Sequence, residues 1–177
     1  MVDLSPQMQQ ALNNQISYEG YASSFYLALA YWCDDQALEG CKKFFIRQSD
    51  EERLHMLKLY DYMSDAGVQP ITPGISQPPN SYNSIQEAFQ KVFEQERSVT
   101  ISIHNLLKLA LDENDYNTQH FLQWYVDEQR EEEAVIRTIL DRIKVIGDGG
   151  QSLYYIDKEV EKINLQVIAA ESSETAE

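Results

Sequence analysis

Four glutamates stand where apolar residues belong. At helical spacing one row of the chain reads Leu12, Ile16, Glu19, Ala22, Tyr26, Ala30, and a second reads Phe45, Gln48, Glu52, His55, Leu59, Tyr62. A third reads Phe89, Phe93, Glu96, Val99, Ile103, Leu106, and a fourth Phe121, Tyr125, Glu128 or Gln129, Glu132, Val135 or Ile136, Ile139. Each apolar row is interrupted by a carboxylate, and Glu52 and His55, three apart, project from one helix face. Buried without partners, four carboxylates repel one another and carry a desolvation cost that raises their pKa values or unfolds the site. Two divalent cations match four negative charges, and no lysine or arginine stands in these rows to do the same. The chemistry on offer is a dinuclear metal site. Oxygen-rich ligation with one imidazole suits iron or manganese better than structural zinc, and iron is the expected ion.

Other residues lie close to these rows. Tyr26 follows Glu19 by about two turns on the same face, so its phenol reads either as a neighbour of the metals or as a core tyrosine bonded to a glutamate. Glu51, Glu128 and Glu131 flank the row residues and face either a second, wetter pocket or solvent. Within Glu131, Glu132 and Glu133 only Glu132 is expected to point inward. His104 and His120 have no partner at metal-ligand spacing and read as surface or packing residues.

The elements that must position these residues follow from the punctuation. All five prolines are Pro6 or lie between Pro70 and Pro79, which leaves long uninterrupted stretches. Ser5 caps and Pro6 opens a first helix running to about Cys33. Asp34 or Asp35 is expected to cap a second that continues to Ala66, where Gly67 suits a left-handed terminus. Ser84 with Glu87 forms a capping-box pattern for a third helix lasting to about Glu113. Asp115 caps a fourth that ends before Gly147, and Ser152 caps a short fifth through about Asn164. The joints near residues 34 and 114 are short and force antiparallel neighbours. The 17 residues from Gly67 to Asn83 can span about 55 Å when extended, enough to travel the length of the bundle and make the second and third helices parallel. The fold class is therefore all-α: a four-helix bundle with one long crossover connection plus a short fifth C-terminal helix, residues 1–165, followed by a polar tail, 166–177. The midpoints of the four long helices fall near residues 19, 51, 98 and 131, so the anomalous acids should meet at one depth.

Composition narrows the partners. With 14 lysines and arginines against 29 aspartates and glutamates, the net charge of −15 disfavours nucleic acid and other phosphate-bearing partners and favours cations. Hydrophobic residues make up 43 %, more than a disordered acidic chain carries, so the charge decorates a folded body. No apolar run approaches the roughly 20 residues of a membrane span, and Met1 to Pro6 shows no secretory pattern. Cys33 and Cys41 read as buried free thiols of a reducing compartment, which with the rest implies a cytoplasmic protein.

Several segments resemble the ferritins, and within them the bacterial non-haem type: Glu52-Arg53-Leu54-His55, Tyr21 to Tyr26 following Glu19, and Phe121-Leu122-Gln123-Trp124-Tyr125-Val126-Asp127-Glu128-Gln129. A ferritin-like di-iron carboxylate bundle carries such helix-borne Glu-x-x-His motifs. The resemblance implies a ferroxidase centre in which Glu19, Glu52 and His55 bind one iron and Glu96 and Glu132 the second, with Glu52 bridging and Gln129 close by. It further implies a third iron site at Glu51, Glu128 and Glu131, with Tyr26 as an electron donor and Trp124 nearby. A hollow 24-subunit shell, a homo-oligomer storing oxidised iron as mineral, belongs to the same expectation. Bacterioferritins carry a second Glu-x-x-His in the fourth helix, whereas Gln129-Arg130-Glu131-Glu132 ends in glutamate. Their haem-ligating methionine would fall at Arg53, so no haem is expected. Thr118 to Leu122 lacks the paired acids that line three-fold pores in animal ferritins, and without a basic N-terminal arm a DNA-protecting mini-ferritin is disfavoured.

The function expected from these residues is oxidation of Fe(II) to Fe(III) by dioxygen or peroxide, two irons per subunit, with storage of the product. The alternatives are a di-iron or di-manganese oxidase or oxygenase acting on an organic substrate, and a metal-free interaction bundle. The first needs a pocket beside the metals where Phe25, Tyr26, Phe93, Phe121 and Tyr125 suggest a filled interior. The second needs the inward acids to be protonated or displaced.

Overall fold

Two separate hydrophobic clusters, one toward each end of four long helices, leave a layer between them where the buried polar and acidic residues gather. The computed structural model describes residues 4–174, and among them the chain forms six helical segments and no strand. These are α1 (Pro6–Asp35), α2 (Glu39–Asp65), α3 (Ile85–Asp112), α4 (Tyr116–Phe121), α5 (Gln123–Ile146) and α6 (Ser152–Glu174). Short α4 and longer α5 make one rod. Its helical ladder continues across Leu122, whose N–H donates to the Thr118 carbonyl at 3.0 Å and whose carbonyl accepts from Val126 N–H at 3.2 Å.

Local chemistry fixes most helix ends. Ser5 Oγ accepts from Met8 N–H at 3.0 Å with Pro6 in the first turn. Ser84 Oγ accepts from Glu87 N–H at 3.1 Å, and Asp115 Oδ1 from Thr118 N–H at 3.0 Å. Gly67 takes a φ of 78° just past α2, a region where a side chain would be strained. At the first joint the aspartates do not cap. Asp34 and Asp35 finish α1, Ala37 turns the chain at φ 58°, and Leu38 stands at the start of α2 with no side-chain cap. Leu38 is buried against the cluster containing Phe25 and Phe44, so apolar burial at the joint outranks a capping bond. Ser152 is likewise the first residue of α6 and not its cap; its hydroxyl donates to the Gly149 carbonyl at 2.7 Å.

The crossover is packed against α1. Ile71 N–H donates to Asn13 Oδ1 at 2.7 Å, and Pro73 and Ile75 lie over Gly20, Asn13 and Gly20 both being on α1. It leaves α2 and α3 parallel, as expected, with the Phe45 and Phe89 rings tilted against each other at 5.0 Å between centroids. α2 and α5 run antiparallel, since Gln48 meets Glu132 and Tyr62 meets Thr118. α6 differs from expectation in length, passing Asn164 and continuing to Glu174, so the 165/166 boundary falls inside a helix. Ile156, Val160 and Ile163 bury its first half, and bonds from Arg47 to Asn164 and Glu171 hold the remainder against α2. The last three tail residues, 175–177, and residues 1–3 of the N-terminal reading lie outside the described residues.

The two clusters show why the acids share a level. In α1 the residues up to Ile16 belong to one cluster and those from Phe25 to the other; in α2 the switch falls between Phe45 and Leu59. In α3 it falls between Val92 and Val99, and in the fourth rod between Tyr125 and Ile136. Each interval contains one of the four row glutamates. Of the doubtful row positions, Gln129 and Ile136 are buried while Glu128 and Val135 are half-buried; Tyr62, Phe93 and Phe121 are also only half-buried.

Candidate metal centre

Glu19, Glu52, His55, Glu96, Gln129 and Glu132 are all buried in this layer, at most 7 % exposed. They arrive from four helices because each is the polar residue at which its apolar stripe passes from one cluster to the other. Carboxylate and imidazole atoms of Glu19, Glu52 and His55 lie within 4.8 Å of one another. His55 Nδ1 stands 3.3 Å from Glu52 Oε2 and 4.0 Å from Glu19 Oε2. Glu96 and Glu132 face this trio without belonging to that close set.

Neutral donors aim the carboxylates. Tyr26, fully buried, donates its hydroxyl to Glu96 Oε1, and Gln129 Nε2 donates to Glu96 Oε2 at 2.6 Å and to the Glu96 carbonyl at 3.2 Å. Gln15 donates to Glu19 Oε1, and Gln48 Nε2 to Glu132 Oε2 at 2.7 Å. Tyr26 is thus a core tyrosine bonded to a glutamate of the cluster. Glu19 Oε2 is buried with no hydrogen-bond partner. Among the described residues, no ion pair supplies these four acids with a lysine or arginine. Retaining even one buried charge uncompensated costs several kcal/mol, and a domain's whole stability is about 5–15 kcal/mol, so four ionised acids require cations.

The electrostatics point the same way. Burial, followed by the neighbouring carboxylates of Glu19 and Glu96, holds the Glu52 carboxyl well above its usual range. Burial also lifts Glu132, with Glu51 and Glu96 adding to the shift and Arg47 opposing it. Glu96 is pushed up to about 7 by burial despite hydrogen bonds from Tyr26 and Gln129 that lower it. Burial lowers the His55 imidazole, which favours the neutral form that can offer a lone pair to a metal. A raised acid binds more protons folded than unfolded, so its stabilising effect is complete below the ordinary value and lost as pH rises through the folded one. The metal-free protein should therefore lose unfolding free energy as pH climbs from about 5 to about 8, with Glu96→Gln flattening part of that slope. Denaturant titrations at several pH values check it; equal slopes for both proteins would contradict the assignment.

A second group lies outward. Atoms of Glu51, His55 and Glu128 lie within 4.8 Å of one another, so His55 borders both groups. A cleft of about 170 Å³ here is lined by Glu51, Glu128, Glu131 and Glu132 with Arg47 and Glu171. Glu131 is at its rim, 68 % exposed, with Arg130 at 3.6 Å; Glu133 is turned aside and accepts from Thr100. His104, His120 and Arg53 are exposed, and both cysteines are buried and free. Trp124 lies 5.4 Å from the His55 ring and 4.4 Å from that of Tyr125.

Three further polar residues hold the site: Gln15 and Arg47, which stand in none of the four rows, and Gln48, which stands in the second row without an assigned role. Gln15 is one turn before Glu19 on the same face, and Gln48 occupies a row position one turn before Glu52. An amide beside each acid was the available signal. Arg47 carried none, because its role depends on where α6 passes.

Nearly the whole chain has relatives among known proteins. A family model described as Ferritin-like domain matches residues 9–146. A bacterial non-heme ferritin of Escherichia coli O6:H1 is 38 % identical over 163 residues, covering 92 % of this chain and 99 % of the relative. A bacterial non-heme ferritin of Staphylococcus saprophyticus is 41 % identical over 157 residues, covering 89 % and 94 %. Among solved structures, an open pore ferritin from the hyperthermophilic archaeon Archaeoglobus fulgidus superimposes with a TM-score of 0.88 at 37 % identity, covering 91 % of this chain and 98 % of that one.

Proposed function

The chain belongs to the ferritin family, and from that premise we propose that it stores iron by oxidising Fe(II) to Fe(III) at the buried acid cluster. The observation that carries the reading is the convergence of Glu19, Glu52, Glu96 and Glu132 with His55 in a buried layer where, among the described residues, no lysine or arginine makes an ion pair with them. Fe(II) is the substrate, two ions per subunit. Glu19, Glu52 and His55 would receive one, Glu96 and Glu132 the other, with Glu52 between them and Gln129 holding Glu96 in place. Anionic oxygens stabilise Fe(III) more than Fe(II), so the cluster lowers the cost of losing an electron. Two irons together release two electrons, which dioxygen takes up with two protons as hydrogen peroxide, or which peroxide takes up to give water. Tyr26, bonded to Glu96, is placed to hold or pass a proton there. Glu51, Glu128 and Glu131 would form a third iron site beside His55.

The same reading assembles the subunits into a hollow 24-subunit shell. Tyr18, Tyr31, Ile71 and Ile75, on α1 and the crossover, are 43–63 % exposed, which supports a subunit interface on that side. No helix among the described residues is long and apolar enough to cross a membrane. The free thiols Cys33 and Cys41 favour a reducing cytoplasm. The experiment is aerobic Fe(II) titration followed by size and iron-content measurement of the same sample. Large particles holding hundreds of irons are expected; uptake that stops near two per subunit would favour the organic-substrate oxidase instead.

A further inference from the structure

The outer cleft already contains a cation. Arg47 on α2 is 16 % exposed, and its guanidinium divides its donors among several partners. Nη1 reaches Glu51 Oε2 at 2.5 Å and Glu171 Oε1 at 3.2 Å, while Nε reaches Asn164 Oδ1 at 2.8 Å. Nη2 donates to Gln48 Oε1, and Gln48 Nε2 passes on to Glu132 Oε2 at 2.7 Å. One side chain thus neutralises an outer acid, fixes the amide that aims an inner acid, and ties the far half of α6 to α2.

We propose that Arg47 is the resident counter-cation of the outer pocket, a positioning residue that a divalent cation must displace from Glu51 in order to bind there. This inference rests on the proposed loading of the acid clusters by metal. Arginine cannot shed its proton, so its charge is a permanent competitor, and being tethered it competes at high effective concentration. A dication seated on Glu51 and Glu128 repels a guanidinium held at hydrogen-bond distance from the same carboxylate. The inner acids make no direct ion pair with it, since Arg47 reaches Glu132 only through Gln48. The outer pocket is consequently weaker than the inner centre, fills after it, and gives up its ion readily.

Displacement also disturbs α6. The bonds to Asn164 and Glu171 are made by the same planar group that bonds Glu51, and a guanidinium driven off Glu51 cannot keep all of them. Filling the outer pocket is therefore coupled to loosening of the C-terminal half of that helix.

The test uses Zn(II), which is redox-inert, titrated calorimetrically into the metal-free assembled protein. The wild type should show a tight inner class and a weaker outer class. Arg47→Gln should tighten the outer class about tenfold or more relative to the inner class, whose Glu132 loses only an indirect support through Gln48, whereas Arg47→Lys, which keeps the charge, should remain near the wild type. A merely structural role for Arg47 would weaken binding, not strengthen it. Outer affinity that is unchanged or lower in Arg47→Gln, measured against the inner class of the same protein, overturns the inference. Should that variant fail to fold, hydrogen exchange on the wild type decides: saturating Zn(II) should speed exchange over residues 164–171, and unaltered exchange there would refute the coupling. Absence of both binding classes in the wild type would instead bring down the proposed function itself.

Discussion

Replacing Glu52 by alanine is expected to slow the initial oxidation of Fe(II) by at least about a hundredfold while the subunits still assemble. Glu52 stands among three other groups of the buried cluster: His55 Nδ1 at 3.3 Å, Glu19 within the same close set, and Glu96 near enough to raise its pKa. No other carboxylate of the layer has that position, so its loss separates the two halves of the centre. Stopped-flow absorbance of the ferric product gives the rate, and size measurement gives the assembly. Glu52→Gln supplies the isosteric control, removing the charge and leaving no cavity. It should be as slow as the alanine variant, and without metal it should be more stable than the wild type near pH 8, because an acid held above its ordinary range no longer has to ionise in the folded state. Initial kinetics unchanged in either variant would remove Glu52 from the centre.

That expectation rests on residues the sequence displays openly. A glutamate in an apolar stripe is visible because the surrounding stripe has a period of 3.6, and four stripes with acids near their midpoints require antiparallel packing to bring them to one level. Ser5, Ser84, Asp115 and Gly67 end their helices by local bonds or backbone preference, which a short window contains. The features that escaped notice are those settled at a distance. Leu38 rather than Asp35 begins α2 because a core cluster to which α3, α5 and α6 also contribute receives its side chain. The second half of α6, with Leu165 61 % exposed, has no stripe dense enough to announce a packed helix; its hold comes from Arg47, on another element. The choice between Glu128 and Gln129, one residue apart, turned on the rotation of α5 about its axis, and periodicity leaves such a rotation open by about 100°.

Gly40→Ala should detach α6 from the bundle although it lies in neither acid cluster. A Cβ at position 40 would meet the Asp157 carbonyl oxygen at 2.4 Å and Glu161 Cβ at 2.9 Å. The first contact is backbone, so rotating a side chain cannot relieve it, and α6 must move away from the start of α2. Movement there breaks the bond from Cys41 N–H to Asp157 Oδ1 at 2.9 Å and strips cover from the buried Val160 and Ile163. Overpacking of this kind costs about 1–3 kcal/mol, against which alanine regains roughly 1 kcal/mol of helix propensity over glycine. The net loss is modest for the whole fold but concentrated on one helix. Hydrogen exchange should show α6 opening while α1, α2, α3 and α5 keep their protection. The inner acids, carried by those four helices, should still oxidise Fe(II) at the wild-type rate. The outer cleft, walled on one side by Val167, Ala170 and Glu171, should lose its cation affinity along with α6. Equal protection of α6 in variant and wild type would show that the approach of the two backbones at Gly40 is not what fixes the helix.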